Sequence, residues 1–271
     1  MALVPFPTVT PGDDEDDDPR TDDSGSKMSF LEHLDELRKR LIYIVYSLIA
    51  GCVIAYIFIG KIFDFIMKPM TDILRGSDGK AVQLIYTAGP EPFMLYIKIG
   101  FLAGIFIGSP LILWQVWKFI APGLYSHEKK FAIPFVLMST IFFVTGGLFA
   151  HYVAFPVTWL FFNGFRNDYM TFMPKVDEAF DLYTKMVLGS GLIFEMPTLV
   201  FFLARMGVVS AGFLLKYFKY AFLAIFIIAA VISPGTDMMS QMVMAVPMLG
   251  LYVISIAIAF VFQKRRKPAT D

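Results

Sequence analysis

Six apolar runs dominate this chain: roughly Leu41–Ile59, Phe93–Ile120, Phe131–Phe155, Leu182–Ala204, Phe213–Ile232 and Met239–Phe262. No other feature constrains the fold as tightly. Inside hydrocarbon every backbone N–H and C=O must find a partner within the protein, so apolar runs of about 20 residues can only be helices there. With 57% of its residues hydrophobic, the chain reads as an all-α membrane protein with six transmembrane helices.

Segment lengths refine that picture. Phe93–Ile120 has 28 residues. At ~1.5 Å each it reaches about 42 Å, more than a ~30 Å core needs, so it must tilt or kink, with Pro110 the expected kink point. Only 13 apolar residues, Tyr220–Ile232, separate Lys219 from Ser233. That run spans only about 20 Å, and association with a partner helix can relieve the mismatch. Two loops, about Gly60–Pro92 and Pro156–Asp181, are long enough to hold short helices of their own.

Charge sets the expected orientation. An even number of spans puts both termini on one side, and that side carries 14 lysines and arginines against 8 on the other. Both termini are therefore expected in the cytoplasm. The formal net charge of zero hides an uneven distribution, because Asp13–Asp23 holds eight of the 23 acidic residues. From Met28 onward there are 15 acidic and 21 basic residues, a net of +6. Residues 1–27, acidic and dotted with Pro and Gly, read as a disordered tail, 28–263 as the membrane domain, and 264–271 as a basic cytoplasmic tail.

Met28–Arg40 has the pattern of an amphipathic surface helix continuous with the first span. Ser29 and Glu32 have capping-box spacing, and Phe30, Leu31, Leu34, Leu37 and Leu41 share a stripe. Arg38 falls at the edge of that stripe. Glu36 is spaced to pair with Arg40.

The polar hinge Phe119–Lys130 separates the second and third runs. Pro122-Gly123 breaks the helix and Ser126 can cap the next one, placing Glu128 in its first turn. Glu128 is the hinge's one acid, among Lys118, Lys129 and Lys130 and beside Phe119 and Tyr125. It reads either as a solvated charge at a helix start or as an anionic, aromatic-edged dock for a cationic partner.

Glu195 stands mid-way along the fourth run, two residues before Pro197. A central acid costs roughly 2.5–3.5 kcal/mol on insertion scales, so it should face protein or a water-bearing cavity. One reading is a protonated acid inside a broken helix. The favoured one is a polar pocket that admits a partner's polar group. Gln241 lies just inside the last span and Asp237 at its interface. No Walker loop, HExxH, GxSxG or pair of intramembrane aspartates is present. Cys52 is the single cysteine and the three histidines are far apart, so no metal or disulfide framework is expected.

Three stretches together resemble the TatC family, receptor subunits of the twin-arginine protein translocase. They are His33–Arg40 (HLDELRKR), Trp114–Glu128 (WQVWKFIAPGLYSHE) and Phe194–Pro197 (FEMP). Gly89–Phe93 and Gln241…Ala245–Met248 fit more loosely, and the resemblance covers about Phe30–Phe262. It implies a concave six-helix bundle, no enzymatic activity and no cofactor. It also implies residence in the bacterial cytoplasmic (inner) membrane and transport driven by the proton-motive force. The implied partners are twin-arginine signal peptides on folded cargo, single-helix TatA-like and TatB-like proteins, and further copies of the chain; nucleic acid is not among them. Family binding roles fall on Glu36, Arg38, Phe119 and Glu128 for the signal peptide, and on Glu195, with Gln241, inside the membrane. A guanidinium pairs bidentately with a carboxylate where an ammonium cannot, so Glu36 and Glu128 could discriminate two arginines. A proton-coupled small-solute carrier using Glu195 is the alternative.

Overall fold

The computed structural model describes residues 30–74, 84–120, 132–165, 167, 169, 172–233 and 238–262. Both expected tails, Ser29, residues 121–130 of the hinge with Glu128, and Asp237 lie outside the described residues.

Helix α1, Phe30–Ile57, runs without interruption from the amphipathic stretch through the first span, as its periodicity predicts. It lies against α3, Glu91–Ile120, along a seam of small residues. A Cβ on Gly108 would stand 2.9 Å from the Ser47 carbonyl oxygen, and one on Gly100 2.5 Å from the Tyr56 ring. Gly51 and Gly104 abut the facing backbone in the same way. Glycines at 100, 104 and 108 share one face of α3, the small-xxx-small spacing that lets membrane helices approach closely. Helix α3 is unbroken at Pro110, the expected kink. Pro110 removes the donor that would satisfy the Phe106 carbonyl, and Ser109 Oγ donates to that carbonyl instead, at 2.7 Å.

Between these helices lies α2, Ile59–Leu74, in the first of the two long loops. It buries Ile66, Met67, Met70 and Leu74 and exposes Lys61, Asp64, Lys68 and Asp72, a division that follows helical spacing.

The third run is longer than its hydropathy suggests. It comprises α4, Ala132–Phe149, a π-helical turn at Ala150–Ala154, and α5, Phe155–Asn163. The expected end at Phe155 is therefore wrong. Pro156 lacks an N–H, and the wide turn before it lets the helix continue past the proline. Trp159 Nε1 then donates to the Met70 carbonyl at 3.2 Å, fastening α5 to α2.

The fourth run also starts early, as α6, Val176–Phe194, followed after Glu195 by α7, Met196–Arg205. Its first turns hold Asp177, Glu178 and Asp181, which broke the apolar pattern. Their position favours helix through the dipole, and Lys98 of α3 donates to Asp177 at 2.6 Å and to Asp181 at 2.8 Å. The second long loop is correspondingly shorter than expected.

The fifth run is divided. A six-residue helix α8, Ala211–Lys216, turns at Tyr217 into α9, Phe218–Ile232, of 15 residues. α10, Met238–Phe262, completes the bundle. Among the described residues five helical rods are long and apolar enough to cross a bilayer, and α9 is a shorter sixth. At about 22 Å it falls short of a typical hydrocarbon core. The chain is a multi-pass membrane protein.

Candidate functional site

Two faces meet at the residue-30 end of the bundle. On α1, His33, Glu36 and Arg40 recur at intervals of three and four and so share a side. On α3, Gln115 and Phe119 do the same. His33 stacks on Phe119 with ring centroids 4.7 Å apart and 26° between planes. Arg40 Nε donates to Glu36 Oε1 at 2.7 Å, and Arg40 Nη1 to Gln115 Oε1 at 3.3 Å. The Glu36–Arg40 pair is about one-fifth exposed, so it is reachable from water. Arg38 is exposed and points off this face, outside the cluster. Glu128 lies outside the described residues. The Glu36–Arg40 pair is the one that the i,i+4 spacing predicts, while His33 and Gln115 are the members that the sequence did not single out for a role, although both sit inside the family-like stretches.

On its other side α3 forms one wall of a groove. The cavity encloses about 460 Å³ between α3, α4 and the α6–α7 junction. Its walls include Ile112, Val116 and Ile120, so it begins beside the cluster at Phe119. Glu195 is the one ionisable side chain among the described residues that line it. The helix breaks there because Pro197 cannot donate to Ile193, which leaves Glu195 as the residue joining α6 to α7. Glu195 is 8% exposed, and Ser139 Oγ of α4 donates to its Oε2 at 2.6 Å. Among the described residues its Oε1 has no hydrogen-bond partner, and neither does Trp117 Nε1, which is 3% exposed on the same groove. A buried donor and a buried acceptor are thus left open in an apolar cleft, at a cost of about 1–3 kcal/mol each until a partner satisfies them.

Gln241 is not part of this groove. Its Nε2 donates to the Phe226 carbonyl at 2.9 Å and ties α10 to the short α9.

The family model described as "Sec-independent protein translocase protein (TatC)" matches residues 32–247. The chain belongs to the TatC family. A TatC from Koribacter versatilis is 42% identical over 242 residues, covering 89% of this chain and 88% of its own. One from Aquifex aeolicus is 36% identical over 242 residues, covering 89% of this chain and 98% of its own. A crystal structure of the twin arginine translocase receptor TatC superposes with a TM-score of 0.72 at 37% identity, covering 84% of this chain and 98% of that one. A second, determined in the detergent DDM, gives 0.74. TatC proteins are translocase components and not enzymes, and these relatives support protein translocation, not the small-solute carrier that Glu195 also suggested.

Proposed function

We propose that this TatC-family chain is the receptor of a twin-arginine translocase in a bacterial cytoplasmic membrane, with both termini in the cytoplasm. The observation that carries the reading is the double role of α3. One face of its end completes the Glu36–Arg40–Gln115 cluster, and the next face opens into the groove that leads to Glu195. A signal peptide needs both: a carboxylate surface for its paired arginines and an apolar track for its hydrophobic segment.

Glu36 meets the first arginine by exchange. An incoming guanidinium displaces Arg40, and Gln115, which already accepts from Arg40, retains it. Glu128 supplies the second carboxylate, Phe119 the aromatic edge, and Arg38, on the exposed rim of α1, steadies the peptide's own acidic or phosphate neighbours. Because lysine presents a compact ammonium in place of a planar fork, it is the poorer ligand. Inside the bilayer, Glu195 Oε1 and Trp117 Nε1 offer hydrogen bonds to a polar residue in an otherwise apolar segment. TatA-like and TatB-like helices dock along α9, whose length mismatch they relieve and whose position Gln241 maintains. The chain self-associates in the complex, and the proton-motive force drives transport of folded cargo.

The test is photo-crosslinking of a twin-arginine peptide to the membrane-embedded protein, against a twin-lysine peptide. Glu36→Ala and Glu128→Ala should each reduce crosslinking, and added salt should weaken it. Undiminished crosslinking in both variants removes the receptor site.

A further inference from the structure

The start of the fifth run stands a step below its neighbour. Two contacts fix its level against Tyr252 of α10. The Tyr252 hydroxyl donates to the Leu214 carbonyl of α8 at 2.9 Å, and its ring meets that of Phe218, the first residue of α9, with centroids 5.8 Å apart. Beyond Tyr252, α10 continues for ten more residues to Phe262, about 15 Å of helix. Residues 253–262 carry no charge, and Val253, Phe260 and Val261 among them are exposed. A helix that exposes apolar side chains over this length belongs in hydrocarbon. The short helix α8 and the foot of α9 therefore form a shelf recessed beside it.

Two lysines stand on that shelf. Lys216 ends α8 and Lys219 lies in the first turn of α9, and both are exposed. Each ammonium lies over a neighbouring ring, Lys216 at 6.0 Å from the Tyr217 centroid and Lys219 at 4.9 Å from that of Tyr220. The two rings are themselves 6.0 Å apart, so both cations gather on one aromatic pair. No carboxylate compensates them. Helices α7, α8, α9 and α10 contain no Asp or Glu, and among the described residues neither lysine is in an ion pair. An ammonium beside hydrocarbon is costly unless its stem reaches the headgroups or an anion comes to it. A step of about 15 Å is more than a lysine stem can climb, which leaves the second course.

We propose that this shelf is a binding site for an anionic glycerophospholipid, with its phosphate drawn down between Lys216 and Lys219. Its acyl chains lie along α9, where the exposed Leu223, Ile227 and Val231 continue the face of Lys219 at intervals of four. Net charge selects the ligand. Two cations without an acid favour a headgroup such as phosphatidylglycerol, whereas a zwitterionic headgroup brings an ammonium of its own among them. A headgroup seated on the shelf also ends the hydrocarbon at the level where α9 begins, which relieves the mismatch of that helix. The site uses none of the residues assigned to the signal peptide and does not rest on the receptor reading.

The experiment uses the full chain in nanodiscs of equal phosphatidylglycerol and phosphatidylcholine, released into the gas phase for native mass spectrometry. The wild type should retain one phosphatidylglycerol several-fold more often than phosphatidylcholine. The double variant Lys216→Gln, Lys219→Gln should lose that preference, and Lys216→Arg, Lys219→Arg should keep it. Lys61→Gln, Lys68→Gln, which removes two exposed lysines from α2, should behave as wild type. Size-exclusion profiles confirm that each variant is folded. Equal retention of the two lipids by the wild type overturns the proposal, as does the same preference in the shelf variant and the α2 variant. A TatA-like single-helix protein added to the same nanodiscs tests the other occupant: if it removes the phosphatidylglycerol adduct, the shelf is a protein interface and the assignment to lipid fails.

Discussion

Gly146 controls whether Glu195 keeps its hydrogen bond. The residue sits where α4 crosses α6, and a Cβ there would stand 2.5 Å from the Ser190 carbonyl oxygen and 2.9 Å from Gly191 Cα. Ordinary contact begins near 3.4 Å, and both neighbours are backbone, so no side chain can swing aside. In Gly146→Ala the helix α4 must retreat by about 1 Å. Ser139 lies seven residues earlier on the same face of α4, with its Oγ 2.6 Å from Glu195 Oε2. Adding ~1 Å carries that pair past the ~3.5 Å at which a hydrogen bond ceases to exist. Overpacking costs about 1–3 kcal/mol, and alanine's better fit to a helix returns roughly 0.5–1 kcal/mol of it. Counting the lost Ser139–Glu195 hydrogen bond as well, the variant should be less stable than the native chain by about 2–4 kcal/mol. Thermal unfolding in detergent checks this against Gly250→Ala in α10, where a Cβ meets nothing within 4 Å and the change should be neutral or stabilising. A double-mutant cycle isolates the hydrogen bond. Ser139→Ala should cost about 1–3 kcal/mol in the native background, because it strips a buried carboxyl of its donor, and close to nothing in Gly146→Ala. If Ser139→Ala costs the same in both backgrounds, or Gly146→Ala is as stable as Gly250→Ala, the close crossing does not hold Glu195 and the reasoning fails.

Glu195→Gln preserves shape and most hydrogen bonding, so cargo export should fall less than in Glu195→Leu, while peptide crosslinking at Glu36 should survive both; normal export by Glu195→Leu would reduce Glu195 to a tolerated structural acid. Gln241→Leu removes the tie to the Phe226 carbonyl and should loosen α9 by about 0.5–1.5 kcal/mol, read as faster protease or alkylation access to cysteines placed along α9. Trp159→Phe should lower thermal stability by a similar amount, about 1 kcal/mol, by freeing the Met70 carbonyl from α5. Lys98→Met leaves Asp177 and Asp181 uncompensated at the start of α6, and its melting temperature should recover part of the loss as salt is raised; a loss independent of salt would point to packing instead.

How much of the site is legible in the sequence differs from residue to residue. Glu195 can be singled out because an acid amid apolar neighbours is costly, whereas Glu36 faces away from the apolar stripe among other charges and is singled out only by the resemblance to the TatC family. Gln115 and Ser139 carry no such signal, since a Gln or Ser in an apolar run is ordinary, and only the packing of α1 on α3 and of α4 on α6 makes one the acceptor for Arg40 and the other the donor to Glu195. Gln241 shows the converse. Its polarity drew attention, but its amide is engaged by the backbone of α9 and not by Glu195.

The chain by itself determines that it crosses a membrane as helices, because hydrocarbon offers no hydrogen bonds and local sequence must satisfy the backbone. It also determines the single amphipathic-to-spanning helix α1, since a 3.6-residue period is a local property. Tertiary structure decides where the helices end. The charged first turns of α6 are compensated by Lys98 from another segment as well as by the helix dipole, and the third run passes Pro156 through the π turn before it. It also decides which faces touch. Glycines at 51, 100, 104, 108 and 146 are interchangeable as letters, and become contact points only when a second backbone lies against them. A groove is likewise a property of several helices at once: Trp117 and Glu195 are separated by 78 positions in the chain and are brought to one surface by packing that no single segment encodes.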